Sequence, residues 1–208
     1  MNQRGFVPIG SSAKTRGFPA LTLLLVVINA LVFFLLPGDT AINLAFIPNH
    51  PAILNLFTHM FIHADLFHLL GNMLFLWIFG KAVEDALGSK NFLVIYFIAG
   101  LVAIFAHSFL TTAPNVPVVG ASGAISGILG AYLMLYPTSK VRVYFGFFIS
   151  ADMPAMFYAF VWFGIQLYFG LISLHQDLSV AFFAHIGGFI AGIVLLPMLL
   201  PRRKIQRI

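Results

Sequence analysis

Ser122 sits in the run Gly120-Ala121-Ser122-Gly123-Ala124-Ile125-Ser126-Gly127, a string of small side chains with two hydroxyls. A serine hydroxyl is a weak nucleophile until a base takes its proton, and an imidazole does so near neutral pH. His185 is the candidate base. Acyl transfer also needs preset donors for the oxyanion. The Ser122 backbone N–H is one candidate, because the first N–H groups of a helix are free and lie at the positive end of its dipole. His68 and Asn72 are the others; four residues apart, they share one helix face. Packing accounts for the same glycines without any chemistry. Gly123 and Gly127 form a G-x-x-x-G pair, which lets membrane helices approach closely, and Gly188 and Gly192 align with His185 at helical spacing. The elements that carry these residues decide between the two readings.

The 208-residue chain is 61% hydrophobic and 8% charged, which marks an integral membrane protein. Its basic residues lie in short clusters, with no basic stripe interleaved with aromatics, so a nucleic-acid partner is not expected. Cysteine is absent, which excludes disulfides and thiolate chemistry. Six apolar spans are read at 18–36, 66–80, 92–110, 122–136, 154–174 and 181–200. The expected fold class is an all-α membrane protein, a six-transmembrane-helix bundle with a short fourth helix. Residues 1–17 and 201–208 are expected to be cytoplasmic tails flanking a membrane domain over 18–200. The stretch from Gly38 to Asp65 is apolar but broken by Pro48, Asn49 and Pro51, and reads as a loop in or on the membrane interface.

Charge placement gives an orientation. The eleven basic residues are Arg4, Lys14, Arg16, Lys81, Lys90, Lys140, Arg142, Arg202, Arg203, Lys204 and Arg207. With six spans all of them fall on one side, so both termini are expected in the cytoplasm. A helix over 122–136 covers roughly 22 Å, against a hydrocarbon core of about 30 Å. Ser122 should therefore be recessed below the outer surface, beside a wet cavity open to the outside. His68, Asn72 and His185 fall at a similar depth, in the outer turns of the second and sixth spans. Polar groups inside a membrane are functional candidates by default. No acidic third member is at hand. Glu84, Asp85 and Asp152 lie on the cytoplasmic side, and Asp39, Asp65 and Asp177 lie in outer loops, so a Ser–His dyad is expected.

The pattern resembles the rhomboid family of intramembrane serine proteases. The matching pieces are His63-Ala-Asp-Leu-Phe-His68-Leu-Leu-Gly-Asn72, then Gly120-Ala-Ser122-Gly123, then Ala184-His185-Ile-Gly187-Gly188 with Gly192. They come in the family's order, on its second, fourth and sixth helices, and the similarity covers about 55–192. The resemblance implies a rhomboid-like bundle, Ser122 as nucleophile, His185 as base, and His68 and Asn72 around the oxyanion. It also implies hydrolysis of peptide bonds in or near transmembrane segments of single-pass membrane proteins, in a lipid bilayer and with no cofactor. Two features depart from the family pattern. The first loop lacks the Trp-Arg pair of many members. Ser126 stands where many carry an aromatic residue against the base, which leaves His185 to be held in another way, such as by a hydrogen bond.

Other readings compete. His59, His63 and His68 are spaced unlike the H-E-x-x-H of a zinc protease and lack a completing carboxylate, so no metal is expected. His63 reads as a hydrogen-bonding residue of the loop, His107 as a packing or interface residue, and His50 and His175 as solvated. His68 and His185 as haem ligands would leave Ser122 and its glycine collar without a purpose. A catalytically inactive helix-binding relative and a small transporter remain as alternatives. Intact Ser122 and His185 weigh against the first. The clustering of polar residues in the outer half weighs against the second. The expected location is a prokaryotic plasma membrane, with the fifth helix and the loop from His175 to Val180 as the moving parts.

Overall fold

The computed structural model describes residues 6–145, 149–175 and 180–200. Arg4, Gln176, Asp177 and the basic tail 201–208 lie outside the described residues, as does most of the loop expected to move.

Eight helices can be numbered along the described chain, most of them bounded by proline or glycine. α1, Ala20–Leu35, starts after Pro19 and ends two residues before Pro37. α2, Gly38–Asn43, and α3, Asn55–Thr58, are short; α3 runs on into a 3-10 turn, His59–Phe61. α4, Leu66–Leu87, contains a π-helical turn, Leu76–Gly80. α5 is Ser89–Leu110, α6 Ser122–Leu135, α7 Ala155–Ser173 and α8 Phe182–Leu199. Four of these, α4, α5, α7 and α8, are long and apolar enough to cross a membrane, while α1 and α6 are shorter apolar helices.

The second span was expected to end at Gly80, yet α4 continues to Leu87 and stops at Gly88, whose φ of +78° favours glycine. The charges that suggested a boundary are accommodated by the helix itself. The Lys81 ammonium lies 5.8 Å from the centre of the Trp77 ring. Glu84 is buried and accepts hydrogen bonds from the backbone N–H groups of Leu21 and Thr22, at 2.9 and 2.8 Å, and from the Thr22 and Ser89 hydroxyls. α1 has no side-chain cap at Pro19. The carboxylate from α4 instead satisfies two of its free N–H groups and faces its positive end.

A three-stranded antiparallel sheet was not anticipated. Its strands are β1, Val7–Ser11, β2, Lys140–Phe145, and β3, Ile149–Pro154, in the order β1-β2-β3. The expectation of only a tail and a loop here was wrong. In β2, Val141 and Val143 are buried while Arg142 and Tyr144 are exposed, the period-two pattern of a strand with one covered face. Arg142 opposes Asp152 across the ladder and forks onto both carboxylate oxygens at 2.7 and 3.1 Å. The guanidinium holds the Asp152 carboxyl below its ordinary range. The sheet joins the bundle through Ser11, whose Oγ lies 2.5 Å from the Tyr132 hydroxyl, and through Phe6, stacked on Tyr158 at 5.0 Å. It thus sits where α6 ends and α7 begins.

α6 is buried along nearly its whole length, from Gly123 to Tyr132 and again at Leu135. It packs on α5 and α8 through small residues. A Cβ at Gly123 would lie 2.6 Å from the Ala103 Cβ, and one at Gly127 would lie 2.2 Å from the Ala99 Cβ. A Cβ at Gly188 or Gly192 would come within 2.0 or 1.9 Å of the carbonyl oxygens of Gly123 and Gly127. Backbone of α8 thus meets backbone of α6, and their first turns are held in fixed relation.

Candidate active site

Ser122 is the first residue of α6, with Ala121 at the cap and no side chain closing the helix end. The loop before it is fixed by the segment between α1 and α4. Phe46 and Val118 exchange backbone hydrogen bonds at 3.0 and 2.7 Å, and the Asn49 N–H donates to the Pro114 carbonyl at 2.9 Å. The Gly120 N–H donates to the His59 carbonyl at 2.9 Å. The His59 ring is buried and bonds in turn to the Asn55 carbonyl at 2.8 Å.

Gly120 must be glycine for two reasons. Its φ is +116°, and a Cβ would lie 2.8 and 2.9 Å from Cε1 and Nε2 of His68 and 3.6 Å from Nδ2 of Asn72. The His68 ring and the Asn72 amide therefore stand directly against the backbone that leads into Ser122. Asp65 sets them there by capping α4, its carboxylate accepting from the His68 N–H at 2.8 Å. Asn72 is 8% exposed, and its Nδ2 has no hydrogen-bond partner among the described residues.

His185 lies in the first turn of α8. Its Nε2 is 2.8 Å from Ser122 Oγ, and its Nδ1 is 2.7 Å from Oε1 of Gln166 on α7. The Trp162 and Phe182 rings flank it, with centroids 6.2 and 6.3 Å from its own. Ser126 does not reach it. Its hydroxyl donates at 2.6 Å to the Ser122 carbonyl one turn back. The structure thus brings Ser122 and His185 into hydrogen-bond contact and places His68 and Asn72 beside Gly120.

Two residues differ from expectation. His63 was read as a hydrogen-bonding residue, yet it is buried and neither ring nitrogen has a partner among the described residues. The His68 ring lies 5.2 Å away edge-on. Burial, then the neighbouring His68 charge, push the His63 imidazole down to about 4. Gln166 was missed altogether. Its signal was available: it is the single amide in the apolar stretch Ala155–Ser173, and polar groups inside a membrane are costly.

A hydroxyl–imidazole pair enclosed by helices of membrane-crossing length defines a multi-pass membrane protein with the makings of a nucleophilic site. The family model described as "Rhomboid domain" matches residues 50–202, and the chain belongs to the rhomboid family. It is 33% identical over 187 residues to the rhomboid protease GluP of Bacillus subtilis, covering 85% of this chain and 34% of that protein. It is 32% identical over 125 residues to the mitochondrial presenilin-associated rhomboid-like protein of Mus musculus, covering 56% and 33%. It is 33% identical over 141 residues to mitochondrial rhomboid protein 1 of Saccharomyces cerevisiae, covering 64% and 38%. The chain spans about a third of the length of these relatives.

Proposed function

We propose that the chain is an intramembrane serine endopeptidase that cuts single-pass membrane proteins in or near their transmembrane segments. The observation that carries this reading is the 2.8 Å contact between Ser122 Oγ and His185 Nε2, at the start of a buried helix in a member of a family with a named protease.

In the first step His185 Nε2 takes the hydroxyl proton as Ser122 Oγ attacks the scissile carbonyl carbon. The oxyanion that forms is met by the Ser122 N–H, with the Asn72 amide and a His68 ring N–H as further donors. The C–N bond then breaks as His185 returns the proton to the leaving amine, and an acyl-enzyme remains on Ser122. Water attacks the acyl carbon and gives its proton to His185. The C–Oγ bond breaks and the proton returns to Ser122. Gly123, Gly127, Gly188 and Gly192 keep the two helices close enough for each transfer.

The reading includes six membrane crossings, by α1, α4, α5, α6, α7 and α8, with 18–200 as the membrane domain. Both ends face the cytoplasm of a plasma membrane, and Ser122 is recessed from the outer surface. The basic residues on the strands and helix ends support that orientation. The short α6 supports the recess, since 14 residues span only about 21 Å of a hydrocarbon core of about 30 Å.

The test is labelling by a fluorophosphonate probe together with cleavage of a model transmembrane substrate, for the wild type, Ser122→Ala and His185→Ala. Labelling and cleavage are expected in the wild type only; full activity in either variant overturns the reading, and an unlabelled wild type favours the inactive helix-binding alternative. A cysteine at Thr112 is expected to react with an impermeant maleimide from outside intact cells and one at Ser139 is not. The opposite pattern inverts the orientation.

A further inference from the structure

Gln166 is 1% exposed, and an amide enclosed by apolar helices is stable there only with its hydrogen bonds made. The bond it makes is to the general-base candidate. Its Oε1 lies 2.7 Å from Nδ1 of His185, on the side of the ring opposite Ser122. An amide oxygen only accepts, so Nδ1 must carry the ring proton. In the neutral imidazole the lone pair is then on Nε2, facing the Ser122 hydroxyl. The reversed amide would set an N–H against Nδ1 and force the ring proton onto Nε2, pointing at the oxygen it should deprotonate.

Among the described residues nothing else near His185 can do this. Its other close neighbours are the apolar faces of Trp162 and Phe182. Among the described residues the titratable groups that face it are His68 on α4 and His107 on α5, beside the Ser122 hydroxyl bonded to it from α6, and none is a carboxylate.

We propose that Gln166 is the positioning residue of this site, a neutral third member that fixes the tautomer and the plane of His185. It fills the place of the orienting amide in Cys–His–Asn hydrolases. A neutral partner suits this depth better than a carboxylate, which would carry the full desolvation cost of an unpaired charge whenever His185 is neutral. The assignment rests on the Ser122–His185 reading above. It also gives α7 a part in the chemistry, because any motion of α7 away from α8 withdraws the oxygen that sets the base.

The test uses the full chain in detergent with a fluorogenic transmembrane-segment substrate. It compares the wild type, Ser122→Ala, Gln166→Leu and Gln166→Glu for kcat, KM, the pH profile of kcat/KM and the thermal midpoint. Gln166→Leu keeps the volume and is expected to lower kcat about 10–100-fold, the usual effect of losing an orienting partner, with KM within about twofold. Gln166→Glu restores the acceptor and is expected to recover most of kcat. Its carboxylate stabilises the imidazolium, so the acid limb of the profile should move to higher pH. A merely structural Gln166 would change the midpoint and leave both the kcat–KM split and the acid limb alone. Wild-type kcat in Gln166→Leu overturns the inference. So does an active Gln166→Glu with the wild-type acid limb, an outcome readable even if the leucine variant does not fold. If the wild type itself shows no Ser122-dependent labelling by the fluorophosphonate probe, the protease reading fails first and the inference with it. If the wild type labels and Gln166→Leu labels equally fast, only the inference fails.

Discussion

Gly188→Ala is the sharpest probe of how helix packing supports the site. The added Cβ would lie 2.0 Å from the Gly123 carbonyl oxygen and 2.9 Å from its carbon, whereas real Cβ contacts essentially never fall below 3.0 Å. The opposing atoms are backbone in the first turn of a buried helix, so no side chain can rotate aside. α6 and α8 must part by about 1 Å. His185 lies one turn above Gly188, and Ser122 adjoins Gly123. The same separation stretches the 2.8 Å Oγ–Nε2 contact toward about 3.8 Å, beyond hydrogen-bond range. A misplacement of about 1 Å costs on the order of 10²-fold in rate. The expected result is a loss of that size in both fluorophosphonate labelling and kcat, in a protein that still purifies as a folded monodisperse species. Gly164→Ala on α7 is the control, since a Cβ there meets nothing within 4 Å, and it should label like the wild type. Wild-type labelling of a folded Gly188→Ala would refute the argument that backbone contact between α6 and α8 sets the dyad distance.

Three further outcomes follow from the site and its supports. His68→Ala and Asn72→Ala should each lower kcat, by less than the roughly 10²–10³ of a lone oxyanion donor because the Ser122 N–H remains; a change in KM alone would move both residues to substrate binding. Glu84→Ala strands the N–H groups of Leu21 and Thr22, and with hydrogen bonds to a charged group worth about 1.5–3 kcal/mol each it should lower stability by about 3 kcal/mol in a denaturation series. Its activity per folded molecule should not change, and an unshifted midpoint would mean that water replaces the carboxylate without loss. His63 binds its proton at about 4 when folded against an ordinary value of 6.5, so the unfolded chain holds more protons between those values and stability falls as pH drops from about 6.5 to 4. At 1.36 kcal/mol per unit the loss approaches about 3 kcal/mol, and His63→Phe should flatten part of the slope; an identical slope in the variant would place the acid sensitivity elsewhere.

What could be read in advance follows from contrast. In a chain this apolar, each intramembrane polar residue stands out, and Ser122, His185, His68 and Asn72 also carry a family's motifs. Gln166 stands out equally but belongs to no motif, and its meaning lies wholly in a tertiary contact nineteen residues distant along the chain. The end of α4 was misjudged for a related reason. Lys81, Glu84 and Asp85 look like a membrane boundary until one sees that Glu84 caps a different helix. The sheet was missed because hydropathy reading sorts residues into spans and connections, and the alternation around Val141 and Val143 lies in a connection. Its partner β1 is at the far end of the chain, beyond the reach of any local pattern. Ser126 shows the converse: the sequence indicated that the usual aromatic support was absent, but only the structure gives what stands around His185 instead.

The order in which the strands are made sets a schedule for assembly. Val7 pairs with Tyr144 and Ser11 with Val141, so the ribosome must finish α1, α4, α5 and α6 before β1 has anything to pair with. At about 5–20 residues per second, β1 waits on the order of ten seconds. A bare strand is a liability over that interval, but this one is five residues long, carries Pro8 and has an irregular register between Pro8 and Gly10. Each of these features discourages pairing with a neighbouring chain. A nascent chain that stalls before residue 140 keeps β1 open, and one that passes it can close the sheet around the end of α6. β1 thereby becomes a latch that shuts only after the helix carrying Ser122 has been synthesised.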